Sequence, residues 1–113
     1  MTRHVRHLRK YADSVTSPER RFFFRDPGGR VVWAADSLNS FRQAVASVED
    51  AVLAHHARRA DFSRWVLGTF SDRELGVQLR KIEARWRRGE ARDLRQAIER
   101  LIALRYGPER VGA

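Results

Sequence analysis

The chain has 113 residues, no cysteine, 42% apolar residues and a formal net charge of +9. That length fits one hydrophobic core, because two would each be too small to fold without staples. The lack of thiols excludes disulfides and cysteine-based zinc sites, and no apolar run reaches the roughly 18–20 residues that a membrane span needs.

The charge is unevenly placed. Residues 1–30 carry eight Lys or Arg against three acids, residues 31–71 four against four, and residues 72–105 ten against six. An excess at both ends of a neutral middle suggests a polyanionic partner. Only Lys10 and Lys81 are lysines, and a GC-rich coding bias would enrich arginine in the same way, so a purely compositional origin stands beside the functional one.

Residues 1–19 read as a basic arm. Arg3, Arg6, Arg9 and Lys10 supply its charge, and it lacks the apolar stretch of a secretory leader, so a cytoplasmic protein is the expectation. His4 and His7 stand three apart, but two ligands without a third make a weak metal site. Ser17-Pro18 ends any helix in the arm.

The globular domain is expected over residues 20–107. It opens with two aromatic and β-branched runs, 20–25 and 30–35, around Asp26-Pro27-Gly28-Gly29, which predicts a hairpin. Pairing Arg25 with Arg30 sets Phe22 opposite Trp33 and Phe24 opposite Val31 on the core face. Phe23 and Val32 then lie on the other face with Arg21.

Helices follow. Asp36 or Ser37 caps one with Leu38, Phe41, Ala44 and Val45 inward, and Ser47-Val48-Glu49-Asp50 resembles a capping box opening a second with Val52 and Leu53. Asp61 caps a short third segment over 62–70. Ser71-Asp72-Arg73-Glu74 opens a fourth helix with Leu75, Leu79, Ile82 and Trp86 on one stripe, which Gly89 ends or bends. Leu94, Ala97, Ile98, Leu101 and Leu104 mark the last, closed by Gly107-Pro108. Residues 108–113 are a tail. The expected class is α+β, mostly helical: one hairpin against four or five short helices.

The runs Ala35-Asp36-Ser37-Leu38-Asn39-Ser40-Phe41 and His55-His56-Ala57-Arg58-Arg59-Ala60-Asp61-Phe62-Ser63-Arg64-Trp65 carry a resemblance. With Asp72 and Leu75, they resemble a family of small uncharacterised prokaryotic domains in which a Ser-Leu-x-x-Phe helix precedes a His…Asp-Phe-Ser-x-Trp motif. The similarity covers about residues 21–106. It implies a shared fold and carries over no catalytic residue.

Physically, an imidazole at a helix C-terminus can bond the carboxylate that starts the next helix, so His56, Asp61 and Trp65 read as structural. The alternative is metal or acid–base chemistry at His55, His56 and Asp61, but adjacent helical histidines point about 100° apart and chelate poorly. No phosphate loop, dinucleotide fingerprint, zinc-protease helix or nucleophile elbow occurs, so no enzyme and no cofactor is expected.

The basic surface has more shape. Arg73, Arg80 and Arg87 fall opposite the Leu75–Trp86 stripe with Lys81 and Arg88 beside them, and Glu74 and Glu83 are placed at the flanks. Arg21, Arg25 and Arg30 surround Phe23 on the hairpin, where a base could stack; otherwise Phe23 covers core and the arginines lie along it. The expected function is a non-enzymatic module contacting nucleic acid or a nucleoprotein through arginine. The rival is a protein–protein adaptor or homodimer meeting an acidic partner. A membrane-surface role is disfavoured, since the arm offers only Val5 and Leu8 as apolar anchors.

Overall fold

A computed structural model describes residues 12–107. A single 3-10 turn, Pro18–Arg20, leads into β1 (Phe22–Arg25) and β2 (Val31–Ala35), paired antiparallel. The connecting turn is held by Asp26, whose Oδ1 accepts from the N–H groups of Gly28 (3.0 Å) and Arg30 (2.9 Å). Five helices follow: α1 (Leu38–Ser47), α2 (Asp50–Arg58), α3 (Asp61–Thr69), α4 (Arg73–Arg87) and α5 (Leu94–Tyr106). The α+β, mostly helical class expected from the sequence is the one found.

The hairpin register differs from the expectation. Phe22 faces Ala35, Phe23 faces Ala34, Phe24 faces Trp33 and Arg25 faces Val31, with a bulge beside Phe24 and Arg25. The extra residue shifts the pairing and seats the smallest partner opposite Phe22. That ring then packs among Phe24, Phe41, His56, Phe62 and Trp65, with centroids 4.6–5.7 Å apart. Trp33 keeps to the face of Phe24 and Ala35 but is 39% exposed, while Val31, expected opposite Phe24, is paired with Arg25 by the bulge and is 44% exposed.

Helix starts divide into those closed locally and those closed from afar. Ser37 caps α1 in a reciprocal box with Ser40, and Asp93 caps α5 by accepting from the Gln96 N–H. Asp72, rather than Ser71, caps α4. The box expected at Ser47 is absent. Ser47 is the last residue of α1 and donates back to the Gln43 carbonyl at 2.8 Å, while Glu49 precedes α2 with no side-chain cap bond. Arg95 joins these two ends from α5: Nη1 donates to the Val45 carbonyl and Nη2 to Asp50 Oδ1, both at 2.6 Å. Gly89, at φ 76°, ends α4 in a conformation that L side chains rarely adopt.

The core is one cluster spanning the hairpin and all five helices, with Phe24, Phe41, Phe62, Leu53, Leu75, Leu79, Ile98 and Ile102 among its most deeply buried side chains. On α5 the buried stripe is Leu94, Ile98, Ile102 and Tyr106. Leu104, expected inward, is 78% exposed because it lies off that four-residue repeat. Helix α3 crosses α4 at Gly76, where an added Cβ would stand 2.4 Å from Leu67 Cδ2. Ala12 joins the core, and the Thr16 N–H bonds the Asp36 carbonyl at 2.7 Å. Arg3, Arg6, Arg9, His4, His7 and residues 108–113 lie outside the described residues.

Candidate functional site

The His56 corner lies where the end of α2, the start of α3 and strand β1 meet. His56 is 3% exposed. Its Nε2 accepts from the Arg25 backbone N–H at 2.8 Å, which leaves Nδ1 as the protonated nitrogen, donating to Asp61 Oδ2 at 2.8 Å. Burial chiefly holds the imidazole below its ordinary value of 6.5; Asp61 opposes this, and His55 and Arg59 reinforce it. Both ring nitrogens are engaged, so the ring is a fixed bridge between a strand and two helices, with no lone pair left for acid–base work.

Protonation would set a second N–H against the Arg25 N–H. The folded-state pKa lies below the unfolded one, so the unfolded chain binds the proton more readily, and this stabilisation is present above pH 6.5 and fades as pH falls through it. We expect unfolding free energy to decline as pH falls below about 6.5 toward the lowered folded value, and the decline to vanish in His56→Asn. Denaturant melts across pH measure this; equal profiles for the two proteins would remove the assignment.

Asp61 is not the helix cap that the sequence suggested. Ala60, at φ 56°, occupies the cap position, and Asp61 turns its carboxylate toward His56, Arg59 Nε (3.2 Å) and Arg64 Nη1 (3.5 Å). The capping is done from α4. Glu83 Oε2 accepts from the N–H groups of Phe62 (3.0 Å) and Ser63 (3.3 Å) at the start of α3. Placed at the flank of α4 by its sequence position, Glu83 is fully buried, because α3 packs beside the Leu75–Trp86 stripe and widens the buried face. Trp65 is anchored by its indole N–H on the Arg20 carbonyl at 2.6 Å, and its ring lies against Phe22, Phe41 and Phe70.

All five basic residues of the α4 ridge, Arg73, Arg80, Lys81, Arg87 and Arg88, are exposed, and they differ in their partners. Arg73, Arg80 and Lys81 are exposed and take part in no ion pair among the described residues. Arg87 instead donates through Nη1 to the Ala57 carbonyl at the end of α2, at 2.8 Å. Arg88 is paired with Glu90 through two bonds of 2.8 and 3.1 Å. On the hairpin, Arg21 and Arg30 are exposed, Arg25 Nη1 donates to the Gly29 carbonyl at 2.9 Å, and Phe23 is 38% exposed.

Several arginines that the sequence did not single out are structural. Arg42, buried in α1, bonds the Gly107 carbonyl at 2.6 Å and the Asn39 side chain. Arg105 reaches Asp72 at 2.6 Å and Glu74 at 3.0 Å. These guanidinium groups supply donors to helix C-termini and charge to N-terminal carboxylates, which both need.

An open cleft of about 500 Å³ sits over the His56 corner, lined by residues that include Phe23, Arg25, His55, Arg59, Arg64 and Trp65. Sequence reasoning passed over Arg59 and Arg64, though both stand in the run that contains Asp61. Their convergence with Arg25 depends on a strand whose backbone meets α2 across 31 residues. Among the described residues, no three His, Asp or Glu side chains converge to hold a metal ion, and no helix is long and apolar enough to cross a membrane. No protein-family model matches this chain, and no curated protein or solved structure shows significant similarity to it.

Proposed function

We propose that the chain is a non-enzymatic binding module that contacts nucleic acid, alone or within a nucleoprotein, through exposed arginine and lysine. The observation that carries this reading is the solvent face of α4, where Arg73, Arg80 and Lys81 stand without acidic partners among the described residues. Three such groups on one helical face present the sequence-independent attraction that phosphate backbones answer. Arg87, which also holds the Ala57 carbonyl, keeps its charge and most of its donors on the same helix, whereas the charge of Arg88 is offset by Glu90.

Affinity for a short DNA duplex should fall with salt at a log–log slope of about −3, since each phosphate neutralised contributes roughly −0.9. Changing Arg73, Arg80 and Lys81 together to Glu should abolish binding and leave thermal unfolding unchanged. Reversing Arg92 and Arg100, exposed elsewhere, should weaken binding far less. Fluorescence anisotropy over a salt series measures both, and equal losses from the two sets of reversals would defeat the reading.

A second reading is a protein–protein adaptor or homodimer, with an acidic partner or a second copy on the hairpin. Phe23, Val31, Val32 and Trp33 are between 38% and 44% exposed on one small hairpin, and clustered apolar surface of this kind is typical of contact sites. A salt-resistant complex lost in Trp33→Ser would place this reading first.

A further inference from the structure

The cleft over the His56 corner brings together a cationic and an aromatic surface. Its cationic side comprises Arg25, Arg59 and Arg64, against a single carboxylate, Asp61. Asp61 is already engaged by His56, Arg59 and Arg64, so it leaves the surplus positive charge in place. Each guanidinium has five N–H donors. The bonds within the protein take one from Arg25, one from Arg59 and two from Arg64, so most remain for a ligand.

The aromatic side is made by Phe23, 38% exposed at the rim, and by Trp65, whose indole N–H is fixed on the Arg20 carbonyl so that the ring cannot swing away. The N-terminal amides of α3 are not available to an anion, because Glu83 accepts from Phe62 and Ser63. An anion here must therefore be held by guanidinium groups, which favour the planar, multi-donor recognition of phosphate. The volume, about 500 Å³, lies within the usual range for small-molecule sites.

We propose that this cleft binds a nucleoside phosphate, with Arg25, Arg59 and Arg64 on the phosphate and Phe23 and Trp65 against the base. The floor is rigid, since His56 ties the Arg25 backbone to Asp61 through its two ring nitrogens, so the strand and helix ends that carry the three arginines keep a fixed separation. The same chemistry is offered by a free mononucleotide and by the phosphorylated end of a strand. The site shares no residue with the α4 face, so either reading can fail while the other stands.

The test is a titration of the isotope-labelled full chain followed by amide and indole NMR signals. The probes are adenosine and uridine 5′-monophosphate, ribose 5-phosphate, inorganic phosphate, and a trinucleotide with and without a 5′-phosphate. Nucleotides should move the signals of His55, Arg59, Arg64 and the Trp65 indole, and should bind about tenfold more tightly than ribose 5-phosphate. Arg59→Gln with Arg64→Gln should weaken nucleotide binding about tenfold. Phe23→Ala should erase the preference for a base, and Arg80→Gln should change nothing. Tighter binding of the 5′-phosphorylated trinucleotide than of either mononucleotide assigns the site to strand ends, and the reverse order to free nucleotides. Equal affinity for inorganic phosphate and nucleotide would overturn the proposal. So would the absence of cleft shifts at millimolar nucleotide, or shifts confined to α4.

Discussion

Glu83→Ala is expected to destabilise the protein by about 3 kcal/mol, with contributions from stranded donors and from a cavity. The substitution removes the acceptor for the Phe62 and Ser63 N–H groups, and α3 offers no replacement because its own cap position holds Ala60. Glu83→Gln separates the cap from the charge, since the amide oxygen can accept the same two bonds. Burial chiefly raises the Glu83 carboxyl above its ordinary value, although the bonds from Ser63 and Phe62 and the charge of Arg87 pull it down. Its Oε1 has no hydrogen-bond partner among the described residues, so a proton there disturbs neither cap bond.

A folded-state pKa raised above the unfolded one contributes stability that is full below about pH 4.5 and lost as pH rises through the folded value. The Gln variant should therefore gain on the wild type as pH rises from about 4.5 through the raised folded value. Urea melts at several pH values measure both claims. A wild-type-like Ala variant would show that the cap carries no weight, and a difference between Gln and Glu that stays constant above pH 4.5 would show that burial does not raise the carboxyl.

Asp72→Ala is expected to cost a similar amount, about 3 kcal/mol, because it breaks a partly buried ion pair and a helix cap together. Asp72 accepts from the Leu75 N–H at 3.0 Å, from Arg105 Nε at 2.6 Å and from the Tyr106 hydroxyl. Burial pushes its carboxyl up, but Arg105, Tyr106 and the Leu75 N–H together outweigh it and leave the group below its ordinary 3.8. The sign is opposite to that of Glu83. The stabilisation is present above about pH 4 and is lost as pH falls through the depressed value, so acid unfolding of the wild type should be steepest there. Asp72→Asn keeps an acceptor for the cap and should fall between wild type and Ala. Calorimetry at neutral and acid pH decides the matter, and an Ala variant as stable as Asn would show that the cap carries no weight beside the ion pair.

Helix stripes were legible because apolar spacing reports burial directly. Leu75, Leu79, Leu94 and Ile98 are where periodicity puts them. Glu83 was not legible. It lies eight positions after Leu75, about 80° from it around α4, where a carboxylate ordinarily faces water. Only the arrival of α3 encloses it, and that depends on Gly76 admitting Leu67. Asp61 illustrates the same limit at a helix start. Its type and position suit a cap, yet the competing acceptor comes from 21 residues away. The hairpin was evident from its turn, whereas its register depends on a bulge that composition does not encode. The pairing of His56 with Asp61 was readable because both ends are local. Its second bond, to the Arg25 backbone, and with it the cleft, required the tertiary fold.

The arginines that close helix ends also bear on how the chain meets alkali. Arg42, Arg87 and Arg95 place guanidinium groups on the carbonyls of Gly107, Ala57 and Val45. A lysine in these seats would shed its proton as the solution turned strongly basic and leave a neutral amine against each carbonyl. A guanidinium keeps its charge throughout that range. Tyr106, whose phenol burial and Asp72 push well above its ordinary value, likewise stays un-ionised beside Asp72. Among the described residues these joints therefore contain no group that hydroxide readily strips, and we expect them to hold as the solution turns alkaline.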